Sequence, residues 1–160
     1  MPTVDHPASG VDVFVKNLYE HLRCNIDIKL FTLKWTEIKK SKSYLEEFKI
    51  SKVFPKRLGF SNDLKKRINK SVNNNEFNII HNHGLWMMPT IYSGLFKGKD
   101  SYKLVLSPHG AFSEKALSIN KFFKIIFNFL FQKQLLNNVN YFHATSLEEY
   151  KDIRKSGYNQ

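Results

Sequence analysis

Residues 77–84 read Phe77-Asn78-Ile79-Ile80-His81-Asn82-His83-Gly84, and residues 103–110 read Lys103-Leu104-Val105-Leu106-Ser107-Pro108-His109-Gly110. Each is a short apolar run that stops on histidine and glycine. Such runs, bounded by turn formers, read as buried strands. The pattern predicts strands over 77–81 and 103–107, the second stopped by Pro108. Working outward, Val11, Phe14, Val15, Leu18 and Leu22 share one helical face behind Ser9-Gly10. Ile26, Ile28, Leu30, Phe31 and Leu33 read as a strand, and residues 36–47 as a Lys-rich loop with a short helix. A second strand is expected over 48–54, stopped by Pro55. Ser61-Asn62-Asp63 starts a helix with Leu64, Ile68 and Val72 at four-residue spacing, ended by Asn73-Asn74-Asn75. A helix over 90–96, a long helix over 113–136 and a strand over 141–144 follow. Ser146 then caps a helix over 147–155, with Glu148 and Glu149 in its first turn, where the macrodipole favours acids, and Gly157 as its C-cap.

Strands alternating with helices at this spacing imply an α/β fold with a doubly wound parallel sheet. Ligands of such sheets bind beyond the carboxyl ends of the strands. His81, His83, Ser107, His109, Thr145 and Ser146 all fall at or just after predicted strand ends. Their placement is the main pointer to a site.

Composition narrows the choice. With 160 residues the chain has room for one domain or one half of a larger architecture, not an eight-fold β/α barrel. A 42% hydrophobic content is too high for a disordered chain. The single cysteine, Cys24, forbids an internal disulfide and fits a reducing compartment. No stretch is apolar enough to span a bilayer and no apolar signal core opens the chain, so a cytoplasmic location is expected. The formal charge of +11 suggests an anionic partner: nucleic acid, a membrane surface or a phosphorylated substrate. Only 4 of the 25 basic residues are Arg, however, and a surplus of Lys, Asn, Phe and Ile is also what A/T-rich coding favours. No RNP, KH or zinc-finger pattern accompanies the charge, so nucleic acid is not expected.

Three segments have chemistry to offer. A glycine before a helix, as in Ser9-Gly10, lets backbone N–H groups approach a phosphate, although a plain turn into a helix reads the same way. There is no G-x-G-x-x-G and no P-loop. His81 and His83, two apart on an extended segment, point to one face, with His109 as a third nitrogen donor. No carboxylate sits at a comparable strand end, so a metal is not expected. His109, between Pro108 and Gly110, is placed to hydrogen-bond a sugar hydroxyl or phosphate, or to move a proton. A turn role remains the alternative. The long predicted helix carries Phe122, Phe123, Ile125, Ile126, Phe127, Phe129, Leu130 and Phe131 among Lys115, Lys121, Lys124 and Lys133. Its apolar surface is wider than packing on a sheet requires and suits an anionic bilayer or a second domain.

Taken in order, these motifs resemble the N-terminal half of the glycosyltransferase family 4 enzymes, whose two facing Rossmann-like domains form the GT-B fold. Ser9-Gly10-Val11 and the helix after it look like the family's glycine loop. Ile79-Ile80-His81-Asn82-His83-Gly84-Leu85-Trp86 looks like its histidine-rich strand and loop. Ser107-Pro108-His109-Gly110 looks like its "PHG" strand end, and His143-Ala144-Thr145-Ser146 like the segment before the interdomain linker. The resemblance covers most of residues 1–160 and implies a retaining transferase without metal or other cofactor. Its substrates would be a nucleotide-sugar and a glycan or lipid-linked acceptor, met at the cytoplasmic face of the membrane. His109 would be the catalytic residue. Ser9, Gly10, His83, Gly84, Trp86, Gly110, Lys115, Thr145 and Ser146 would bind substrate.

The sequence departs from the family in two places. The chain stops at Gln160, where the family continues into a second domain that holds the donor-gripping glutamates, so Glu148 and Glu149 are not expected to be that pair. Before Gly10 the family has an apolar strand, whereas here Pro2 and Pro7 flank a single apolar residue, Val4. The expectation is therefore a truncated half of a transferase, with its first strand missing, a gap in its sheet and negligible turnover alone. The alternative is a separate acceptor-binding, membrane-docking subunit of a split transferase.

Overall fold

The computed structural model describes residues 10–35, 44–96 and 102–159. Ser9 and residues 36–43 of the Lys-rich stretch lie outside the described residues. The elements in chain order are α1 (Gly10–Leu22), β1 (Leu30–Lys34), β2 (Leu45–Lys49), α2 (Asn62–Asn73), β3 (Ile79–His83), α3 (Met88–Leu95) and β4 (Lys103–Ser107). They continue as α4 (Glu114–Ser118), α5 (Lys121–Phe127), a π turn (Asn128–Gln132), α6 (Lys133–Asn138), β5 (Tyr141–Phe142) and α7 (Leu147–Lys155). This is a Rossmann-like α/β architecture in which every strand pairing is parallel.

The strands form two sheets rather than one. β1 pairs with β2, and β3, β4 and β5 lie in that order. Among the described residues no strand bridges β1 and β3. Residues 1–9, on which the expectation of a missing first strand rests, lie outside the described residues, and the pairing is interrupted between β1 and β3. Side chains span the interruption: Phe31 of β1 meets Phe77 with ring centroids 5.8 Å apart. Leu33 and Phe48 of one sheet share a buried cluster with Leu104 and Leu106 of the other. Helices α3 and α6 pack together, and Ile91 of α3 with Leu135 and Leu136 of α6 shares the buried cluster with Leu104 of the larger sheet. Asn82 points to the α3 side and donates to Thr90 O and Ser93 Oγ of α3, at 2.9 and 2.6 Å. Its neighbours His81 and His83 necessarily point the other way.

Several boundaries differ from those the sequence predicts. β3 covers 79–83 instead of 77–81 because glycine, not histidine, ends it: Gly84 still donates its N–H to Ser107 O at 2.8 Å before its φ of 83° turns the chain. The second strand covers 45–49 instead of 48–54. Glu46 and Glu47 look like loop residues, but Arg67 of α2 binds Glu46 at 3.0 Å on this edge strand. Pro55 precedes a 3-10 turn, Lys56–Leu58. The first strand starts only at Leu30, and the last is just two residues long.

The long helix expected over 113–136 is broken. Ser113 caps α4, Ile119 is extended and Asn120 takes φ 52°, a left-handed conformation that asparagine tolerates better than most residues. After α5 the π turn adds one residue to the helical repeat. The inward stripe Phe123, Phe127, Phe131 is thereby followed by the buried Gln132, Leu135 and Leu136. Helices α2 and α7 start as predicted, because Ser61 and Ser146 accept the N–H groups of Leu64 and Glu149. Gly157, with φ 90°, lies one residue beyond the C-cap Ser156.

Helix α3 can lie close to α6 because Gly94 has no side chain. A Cβ there would come within 2.8 Å of the Leu135 Cα, backbone that cannot step aside. Gly94→Ala should destabilise the fold by about 1–3 kcal/mol, read from urea unfolding. Unchanged stability would mean that α3 and α6 are not held as tightly as described.

Candidate functional site

The site is built on the carboxyl ends of β3, β4 and β5. Parallel register sets His83 directly opposite Ser107, and His143 comes one residue after the last β4–β5 pair, Leu106 with Phe142, its N–H donating to Leu106 O at 2.9 Å. Four imidazoles collect on one face as a result. His81 and His83 have ring centroids 4.2 Å apart, His83 and His109 5.3 Å, and His81 and His143 5.5 Å. Phe14 of α1 lies against three of them, its ring centroid 6.0, 5.4 and 5.9 Å from those of His83, His109 and His143.

Two short hydrogen-bond chains run through the cluster. His81 Nε2 and His143 Nδ1 each lie 2.8 Å from Ser107 Oγ. A hydroxyl has one proton, so it donates to one imidazole and accepts an N–H from the other. His83 Nδ1 lies 3.0 Å from His109 Nε2. One of the two neutral rings must donate, so the tautomer of His83 sets that of His109. Among the described residues Nδ1 of His109 has no partner, and the ring is only half-buried. It can therefore offer a substrate oxygen either a donor or an acceptor.

Burial keeps the rings of His81 and His83 neutral. Burial, reinforced by the His143 and His109 imidazoles, pushes His81 down to about 4. Burial and the neighbouring His81 push His83 down to about 2. Burial also lowers His109, while the Glu149 carboxylate pulls the other way. Among the described residues no group of three or more His, Cys, Asp or Glu could hold a metal ion.

The turn that carries His109 is unusual. His109 has φ 52° and Gly110 φ 75°, two successive left-handed residues. The N–H of Gly110 donates to Glu149 Oε1 at 2.8 Å, and Thr145 donates to Oε2 from both its N–H and its hydroxyl, at 2.7 and 2.8 Å. Glu149 itself is 4% exposed. Burial raises its pKa, but the Thr145 and Gly110 donors outweigh that and hold it below the ordinary value.

Of the residues singled out in the sequence, His83, Gly84, His109, Gly110 and Thr145 come together at this rim. Gly10 opens α1 with nothing within 4 Å of where its Cβ would be, and Ser9 lies outside the described residues. The Ser146 hydroxyl is occupied as a helix cap. Trp86 turns away: at φ 65° its N–H donates to Gln132 Oε1 at 3.2 Å, and Lys124 sits over its ring. Lys115 is exposed on α4. Sequence reasoning passed over Phe14, His143 and Glu149 as site residues. Only Glu149 left a local trace, since Ser146-x-x-Glu149 is the spacing of a capping box.

A family model described as Glycosyltransferase Family 4 matches residues 8–160. No curated protein matches the chain.

The buried rings make a prediction about acid. The unfolded chain binds a proton near pH 6.5, the folded His81 only near 4, so between those values the unfolded state holds more protons and stability falls as pH falls. It is fully present above about pH 6.5. His81→Gln and His83→Gln should each flatten the slope of unfolding free energy against pH, by up to about 1.4 kcal/mol per pH unit. Slopes identical to the parent chain would show that the rings are not buried in neutral form.

Proposed function

The chain belongs to glycosyltransferase family 4, and on that premise we propose that it forms the acceptor-side wall of a retaining transferase. The donor is a nucleotide-sugar and the acceptor a glycan or a lipid-linked glycan. A second wall, supplied by another domain or subunit, grips the nucleotide, and this wall alone turns over negligibly. In the reaction the anomeric carbon loses its bond to the diphosphate oxygen and gains one to the acceptor hydroxyl on the same face. The acceptor proton ends on the departing nucleoside diphosphate. No metal or other cofactor enters this scheme.

The observation that carries the reading is the convergence of His83, His109, Gly110 and Thr145 on one rim at the carboxyl ends of three parallel strands. His109 is the catalytic residue in this reading. Its Nδ1 has no partner among the described residues, and the adjacent Gly110 has nothing within 4 Å of where a Cβ would stand. Glycosyl transfer puts charge on oxygen atoms, and an imidazole held in place by its neighbours stabilises such charge better than a mobile one.

The partner surface in this proposal is an anionic bilayer. Phe122, Ile125, Ile126, Phe129 and Leu130 form an outward apolar face, with Phe122 78% and Phe129 80% exposed. Lys115, Lys121 and Lys133 are exposed on the same run of helices, and the whole chain has a formal charge of +11. An apolar face ringed with lysine matches the boundary between acyl chains and acidic headgroups. Among the described residues no helix is long and apolar enough to cross a membrane, so the contact is with the surface.

In an active transferase containing this chain, His109→Ala should lower turnover by about 10²-fold or more and leave acceptor binding nearly unchanged. Weakened acceptor binding with normal turnover would remove His109 from the reaction. Sedimentation with vesicles tests the surface separately. The chain should bind phosphatidylglycerol-containing vesicles over phosphatidylcholine alone, and Phe122→Ser with Phe129→Ser should weaken that binding by about tenfold or more. Equal binding to both vesicle types, unaffected by the substitutions, would overturn the membrane assignment.

A further inference from the structure

We infer that Glu149 is a positioning residue for His109, its carboxylate tying the turn after β4 to the turn after β5 and so fixing where the imidazole points. The inference rests on the reading that His109 faces the reacting groups. Its basis is the arrangement of one carboxylate and three donors.

In an ordinary capping box the acid three residues into the helix bonds back to the N–H of the cap residue itself. Ser146 does its half, accepting the Glu149 N–H at 3.1 Å. Glu149 does not return the bond to Ser146. One oxygen takes the N–H and hydroxyl of Thr145, the residue before the cap, and the other leaves the helix altogether to take the N–H of Gly110. A carboxylate serving only α7 has no reason to reach 39 residues back along the chain.

What it reaches is the turn that needs holding. His109 and Gly110 are both left-handed, and a histidine leaves that conformation readily unless its surroundings impose it. The other backbone ties of this turn are Ala111 N–H to Pro108 O, long at 3.3 Å, and Ser113 N–H to Gly110 O at 3.1 Å, and neither engages the Gly110 N–H. Glu149 is nearly fully buried, so its oxygens are not shared with solvent, and bonds from two loops to one buried carboxylate set the separation of those loops. Gly110 follows His109 directly, so fixing its N–H fixes the peptide plane that carries the histidine. The charge of Glu149 also acts on the ring, favouring its protonated form against burial.

The titratable groups acting on His109 among the described residues are His81 and His83 from β3, His143 beyond β5 and Glu149 from α7. Glu149→Gln removes the charge and one acceptor oxygen at constant shape, which makes it the informative variant. Ser61→Ala, which strips the cap from α2 and removes none of the bonds made by Glu149, serves as the control for a merely structural loss. The experiment follows the His109 imidazole and the Gly110 amide by NMR across pH on the full chain, with unfolding measured in parallel. Glu149→Gln should move the Gly110 amide resonance and lower the pH at which His109 titrates, whereas Ser61→Ala should lower stability and move neither. In an active transferase, Glu149→Gln should reduce kcat by about 10²-fold with little change in KM for the acceptor.

If Glu149→Gln behaves like Ser61→Ala, with His109 and Gly110 undisturbed, Glu149 is a cap and the inference is wrong. Failure of the underlying reading has a different signature: His109→Ala keeps full turnover even though Glu149→Gln still shifts the His109 resonances.

Discussion

The register of three parallel strands governs everything else in this molecule. Pairing His83 with Ser107, and Leu106 with Phe142, brings residues 26 and 36 positions apart in the chain within hydrogen-bond reach. A slip of one residue in β3 would turn both its histidines onto the α3 face and put Asn82 under α1. Asn82 resists that slip, since its amide is committed to Thr90 and Ser93 on the far side. The apolar core sets the same register, with Leu104 and Leu106 wholly buried. Packing on one face of the sheet thus determines chemistry on the other.

Much of the fold was legible because local chemistry marks it. Ser61 and Ser146 announce helix starts by themselves, and Pro108 stops a strand without help from any other residue. The rim was legible for the same reason, since histidine and glycine after an apolar run are visible in any reading of the chain. Where the sequence misled, the deciding partner was distant. Glu46 and Glu47 look like loop until Arg67 is beside them. Residues 113–136 are apolar enough for one helix, and the chain breaks at Ile119-Asn120 and again at the π turn. The hydrophobic pattern does not encode either interruption, because every segment stays apolar on the inward side.

The functional cluster divides along the same line. His83 and His109 could be named from their own neighbours in sequence, but not their contact with each other, which depends on the register and on the left-handed turn. Glu149 was read as a helix-dipole residue, and at the level of α7 it is one. Its bond to Gly110 is a long-range fact with no local sign. Trp86 shows the converse. It belongs to a motif that points to the site, yet its backbone conformation and its bond to Gln132 carry it toward the π turn.

Phe14 gives the cluster one more property. A single benzene ring from α1 touches three imidazoles that come from three different strand ends. They do not lie equally deep: His83 is buried, His109 half-buried and His143 exposed. An outward roll of the first helix would therefore change the hydration of the innermost ring most, while the outermost already meets water.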